Sequence, residues 1–100
     1  MKLFALTSKA KEDLRAIAIF TEERWGREQR NIYVKQFDDA FHWLANSPLV
    51  GKACDHIKDG YRKFPQGSHL IFYKQGNQTK IEIVRILHKS MDVDSEFIRP

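Results

Sequence analysis

Apolar and polar positions change period along this chain. Leu3-Phe4-Ala5-Leu6 is a short apolar run that reads as a strand. From Lys9 to Trp25 the spacing turns helical: Ala10, Leu14, Ile17, Ala18, Thr21 and Trp25 fall on one stripe, and Ile19 lies opposite, exposed. Thr7 stands where an N-cap is needed, and Glu12 and Asp13 lie near the positive end of that helix. Gly26 ends it. A second stripe of Tyr33, Phe37, Ala40, Phe41 and Leu44, flanked by Ile32 and Trp43, predicts a helix from Arg27 to Asn46, stopped by Asn46-Ser47-Pro48. Two long helices joined at one glycine fold back on each other as a hairpin.

The second half reads differently. Residues 47–60 carry Pro48, Gly51 and Gly60 among charges and read as loop. Three strands are predicted, Tyr61–Phe64, His69–Gln75 and Thr79–Leu87. Pro65-Gln66-Gly67-Ser68 forms the turn between the first two, and Gly76-Asn77 suits a two-residue hairpin with glycine at its first central position. Residues 89–100 show no periodicity and read as a tail. The fold class is therefore α+β in the order β-α-α-β-β-β, an antiparallel sheet with an N-terminal helical hairpin packed on one face. Simple alternation puts Ile81, Ile83, Arg85 and Leu87 on one face of the last strand and Glu82, Val84, Ile86 and His88 on the other. The hairpin can cover one face, so the other is expected to stay partly apolar and open to a partner. Trp25 and Trp43 beside the helix stripes read as core.

The length of 100 residues makes one domain, residues 1–100, and the balance of 42% apolar and 30% charged residues is that of a globule. Net charge is +4, carried mostly by the C-terminal half: residues 51–100 hold 9 Lys/Arg against 6 Asp/Glu, residues 1–50 hold 8 against 7. That excess is too mild to define a DNA-binding stripe. Cys54 is the only cysteine, so no internal disulfide forms and a reducing cytoplasm fits. No leader pattern is visible at the N-terminus and no apolar run is long enough for a bilayer, so no membrane partner is expected.

The chemistry concentrates in two segments, Gly60-Tyr61-Arg62-Lys63-Phe64-Pro65-Gln66-Gly67-Ser68-His69-Leu70-Ile71-Phe72-Tyr73 and Arg85-Ile86-Leu87-His88-Lys89-Ser90-Met91-Asp92. Each sets a fixed positive charge in or beside an apolar strand, where a half-buried guanidinium must find an acceptor. Arg62 either pairs with Asp59 or Glu82 or meets a partner, and Arg85 leaves the same two readings open. His88 reads first as a hydrogen-bonded strand-end residue. His69 and His42 read as structural. Cys54-Asp55-His56 lacks a second ligand pair at zinc-like spacing, so no metal and no cofactor are expected. Neither a phosphate-binding glycine loop nor a serine nucleophile arrangement is present.

The order of these motifs resembles the ParE branch of the RelE/ParE toxin superfamily over nearly the whole chain. The resemblance rests on Ala10-Lys11-Glu12-Asp13-Leu14, Arg24-Trp25-Gly26, Ser47-Pro48-Leu49-Val50-Gly51, Tyr61-Arg62-Lys63-Phe64-Pro65, Gly67-Ser68-His69-Leu70-Ile71-Phe72-Tyr73, and Arg85-Ile86-Leu87-His88 with Met91-Asp92. It implies the toxin of a type II toxin–antitoxin pair: a non-catalytic poison of DNA gyrase, neutralised by a ParD-like ribbon-helix-helix antitoxin through which alone it meets operator DNA. On that reading Arg62, Arg85, His88, Met91 and Asp92 are the expected partner-binding residues, and Ile19 an anchor for the antitoxin. The alternative is a RelE-like ribosome-dependent mRNA endoribonuclease. Against it, position 89 is Lys and no tyrosine follows Tyr73, so the C-terminal tyrosine of the nuclease relatives is missing. Arg85 and His88, three residues apart, also face opposite ways if the strand runs through 88.

Overall fold

In the computed structural model, which describes residues 2–91 together with Val93 and Phe97, the chain opens with strand β1 (Lys2–Leu6) and passes into helix α1 (Ser8–Trp25). Thr7 caps α1: its hydroxyl oxygen accepts the Ala10 N–H at 3.1 Å. Gly26, at φ 93°, takes the conformation that ends α1 and starts α2 (Arg27–Asn46) within one residue. The hairpin is tied near its bend by an ion pair between Arg30 and Glu22.

Four further strands follow: β2 (Lys52–Ala53), β3 (Arg62–Gln66), β4 (His69–Gln75) and β5 (Thr79–His88). They form one sheet in the order β1-β5-β4-β3-β2. The pairs from β2 to β5 are antiparallel and β1 lies parallel to β5, which its long intervening connection permits. The predicted fold class holds, with a two-residue edge strand, β2, inside the segment expected to be loop. Two residues are too few to leave a periodic trace.

Both turns differ from expectation. Pro65 and Gln66 belong to β3, and the reversal is the pair Gly67-Ser68, with Gly67 at φ 58°. Gly76 does not have the positive φ expected of it. It is small for another reason: a Cβ there would lie 2.3 Å from Thr79 Oγ1 and 2.6 Å from Thr79 O.

The hairpin lies on one sheet face and closes the main core. Ala10, Ile17, Phe37, Phe41 and Leu44 from the helices meet Ile71, Tyr73, Ile81, Ile83 and Ile86 from β4 and β5. Each large apolar side chain enclosed there is worth about 1.5–3 kcal/mol. Trp25 and Trp43 are not core, being 67% and 48% exposed. Trp43 lies against Phe64 with ring centroids 5.1 Å apart, at the rim.

The second sheet face is covered, contrary to the expectation of an open apolar surface. Phe72, Val84 and Leu87 pack there with Cys54, and Ile57, Tyr61, Leu70, Val93 and Phe97 close over them. Phe97 stacks edge-on against Phe72 at 4.9 Å and against Tyr61 at 5.7 Å. Val93 and Phe97 are both helical and four residues apart, one face of a turn. Part of the expected tail is therefore a lid on a second core.

Strict alternation fails in β5. Tyr73 pairs with Ile83 but Phe72 pairs with Arg85, so Val84 is an extra residue in a β-bulge. Ile86 consequently joins Ile81 and Ile83 in the helix-side core, while Leu87 joins Val84 on the other face.

Candidate functional site

The expected partner-binding residues do not form one cluster. Ile19 is 54% exposed on the outer side of α1, as the periodicity requires. Arg62, on β3, donates from Nη1 to the carbonyl oxygens of Gly51 at 2.6 Å and Leu49 at 3.3 Å, not to Asp59 or Glu82. It fastens the segment after α2 to the sheet. The same segment is gripped by Tyr73, whose hydroxyl donates to Pro48 O at 2.7 Å and accepts the Gly51 N–H at 2.9 Å. Burial pushes the Tyr73 phenol up from its ordinary value.

Arg85 is held by Asp13. Nε and Nη2 donate to the two carboxylate oxygens at 2.8 and 3.1 Å, and both side chains are only 15% exposed. Asp13 Oδ2 also accepts the Ile86 N–H at 2.9 Å. The reason lies in the sheet edge. β1 ends at Leu6 opposite Ile83, so β5 runs on without a neighbour. Thr7 then gives its N–H to Ile83 O and its hydroxyl to Val84 O, and Asp13 takes the next free donor. The first turns of α1 complete the strand that β1 leaves short.

His88 and Met91 come together at the end of β5. A turn closes with the Met91 N–H donating to His88 O at 2.9 Å, and both side chains are exposed. Asp92, the remaining expected residue, lies outside the described residues. β5 does run through His88, so the three-residue offset from Arg85 keeps the two apart.

A different grouping is present that sequence spacing did not reveal. His69 stands directly opposite His88 across β4 and β5, with ring centroids 5.3 Å apart. Both line an open groove of about 500 Å³ between the hairpin bend and the β3–β4 turn, whose walls include Phe20, Trp25, Gln29, Tyr33 and Ser68. The Tyr33 hydroxyl organises one end. It lies 2.8 Å from His69 Nδ1 and within 3.3 Å of both Gln66 O and the Ser68 N–H. Burial and the neighbouring His88 lower the His69 pKa, with Asp13 opposing.

Among the described residues no three His, Cys, Asp or Glu side chains gather as a metal centre. The Cys54-Asp55-His56 run is dispersed: Cys54 is buried, and Asp55 accepts the Gly60 N–H at 2.8 Å. No helix among the described residues is long and apolar enough to cross a membrane.

A helical hairpin on one face of a mostly antiparallel sheet, followed by the long last strand, is a RelE/ParE-like topology. The model of the ParE toxin of type II toxin–antitoxin system, parDE, matches residues 4–93. The chain is 40% identical over 91 residues to Toxin ParE1 of Mycobacterium tuberculosis, covering 91% of this chain and 93% of that protein. It is 37% identical to Toxin ParE1 of Caulobacter vibrioides, covering 92% and 94%. A solved structure of the chromosomal ParDE TA system from P. aeruginosa superposes with a TM-score of 0.73 at 21% identity, covering 88% of this chain and 96% of that one. The chain belongs to the ParE toxin family.

Proposed function

We propose that this chain poisons DNA gyrase by adhesion, trapping the enzyme on cleaved DNA, and that a ParD-like ribbon-helix-helix antitoxin neutralises it and alone connects it to operator DNA. The family match over residues 4–93 carries this reading. The similarity to a solved ParDE system supports an antitoxin partner. Exposed Ile19 on α1 is the proposed antitoxin anchor. The end of β5 with His88, Met91 and Asp92 is the proposed target contact. Arg62 and Arg85 act behind it, holding the segment after α2 and the β5 edge in shape.

The geometry counts against a RelE-like ribonuclease built on Arg85 and His88. Phosphate cleavage needs a cation and a proton donor converging on one phosphate. Here the guanidinium is committed to Asp13, and His88 belongs to another side of the sheet.

The test is a supercoiling assay with purified gyrase. Added toxin should stop supercoiling and build up cleaved DNA, and a ParD-like antitoxin should restore turnover. Cleavage of messenger RNA with normal gyrase turnover would overturn the proposal.

A further inference from the structure

The geometry points to a two-imidazole site for a borderline divalent transition-metal ion such as Zn²⁺ or Cu²⁺, formed by His69 and His88 across β4 and β5. It is independent of the gyrase reading and stands on the groove alone.

The spacing is the first support. Two imidazoles bound through nitrogen to one tetrahedral ion, at metal–nitrogen distances of about 2.0–2.1 Å, have ring centroids about 5.2 Å apart. His69 and His88 already stand at 5.3 Å. Direct pairing in the β4–β5 register fixes the two backbones, and rotation of the side chains within that spacing brings the ring nitrogens to one ion.

Orientation is the second. A metal-binding imidazole commonly has its other ring nitrogen held by a hydrogen-bonding oxygen. His69 Nδ1 has the Tyr33 hydroxyl at 2.8 Å, and His88 Nδ1 has Ser90 Oγ at 2.7 Å. Both leave Nε2 for a ligand. With His69 Nδ1 donating to the Tyr33 hydroxyl, the hydroxyl can donate to Gln66 O and accept the Ser68 N–H at the same time, and that tautomer carries its lone pair on Nε2. At His88 the Ser90 N–H also reaches Nδ1, at 3.1 Å. Metal capture at Nε2 moves the His88 proton to Nδ1, which then donates to Ser90 Oγ in place of accepting that N–H.

The groove is open, leaving room for water at the remaining coordination positions. The other two histidines are not so placed: His42 bonds to Asp38 within α2, and His56 sits in the 54–61 loop.

Titration of the untagged protein with Zn²⁺ at pH 7, followed by calorimetry, should give one ion per chain. His88→Gln, an exposed position that leaves the core intact, should weaken binding more than about tenfold, as should His69→Gln. Tyr33→Phe should weaken it less while both histidines remain. His42→Gln and His56→Gln should not change it. Zn²⁺ should raise the thermal midpoint of the parent but not of His88→Gln. Absence of stoichiometric binding at millimolar Zn²⁺, or binding unchanged in His88→Gln, overturns the site.

Discussion

Asp13 accepts from Arg85 and from the Ile86 backbone with one carboxylate, binding the first helix to the last strand across 72 positions of sequence. The pair closes the open edge of β5 where β1 has run out. It gives Arg85 a structural duty distinct from a bare contact residue, and it makes the helix start and the sheet edge a single unit.

Asp13→Ala should therefore destabilise the protein substantially. It removes a bidentate carboxylate from a mostly buried guanidinium and the acceptor of the Ile86 N–H together, a loss of about 3 kcal/mol. Asp13→Asn, which keeps an acceptor, should lose less. Urea unfolding of the two variants checks the order; a loss below about 1 kcal/mol for Asp13→Ala would deny the edge-closing role.

Gly67→Ala should cost more than an ordinary turn substitution. The residue sits at φ 58°, and a Cβ would lie 2.6 Å from the Tyr33 hydroxyl oxygen. Left-handed backbone alone costs about 1–2 kcal/mol for a residue with a side chain. Pairing the change with Tyr33→Phe in a double-mutant cycle should recover part of the loss, since the hydroxyl is the nearest clashing atom, while ring Cε1 at 2.8 Å remains. Additive effects of the two changes would mean that they do not meet.

Phe97→Ala should loosen the C-terminal lid. The ring is partly buried on Phe72 and Tyr61, and its truncation removes about 1–2 kcal/mol of apolar burial. Dye binding to newly exposed apolar surface should rise and the thermal midpoint fall. An unchanged midpoint would show that the second core stands without this residue.

Alkaline pH should weaken the fold through Tyr73. Burial raises its folded-state pKa above the unfolded value of 10.0, so the unfolded chain releases the proton first. Stability from this group is complete below pH 10 and falls as pH rises above it. Tyr73→Phe should start less stable, having lost the bonds to Pro48 and Gly51, and should show a shallower decline. Absorbance at the phenolate band alongside unfolding at each pH separates the two effects; identical slopes would remove Tyr73 as the cause.

Much of the architecture was legible in the chain. The stripes of α1 and α2, the Thr7 cap and the single-glycine bend follow from helix periodicity and local chemistry, which act over a few residues. Ile19 was legible for the same reason: a helical position 180° from the apolar stripe has nothing to pack on. The rim positions of Trp25 and Trp43 were not legible, because a large apolar ring near a stripe can rest on a rim as well as in a core. The groove was less legible. Phe20, Trp25, Tyr33 and His69 lie on three elements, and no spacing rule joins them.

Sequence alone determined what is local: the types of the longer elements and their succession along the chain, the hairpin of helices, and the membership of a toxin family written in short motifs. Only tertiary structure decided which residues meet. From the β4–β5 turn, Gln75 pairs with Ile81, and that register carried onward would set His69 against Leu87. One extra residue at Val84 sets it against His88, moves Ile86 into the core and sends Leu87 to the face that Phe97 covers. A bulge costs one ladder position and leaves no periodic mark, because its favourable energy comes from packing on both sheet faces at once.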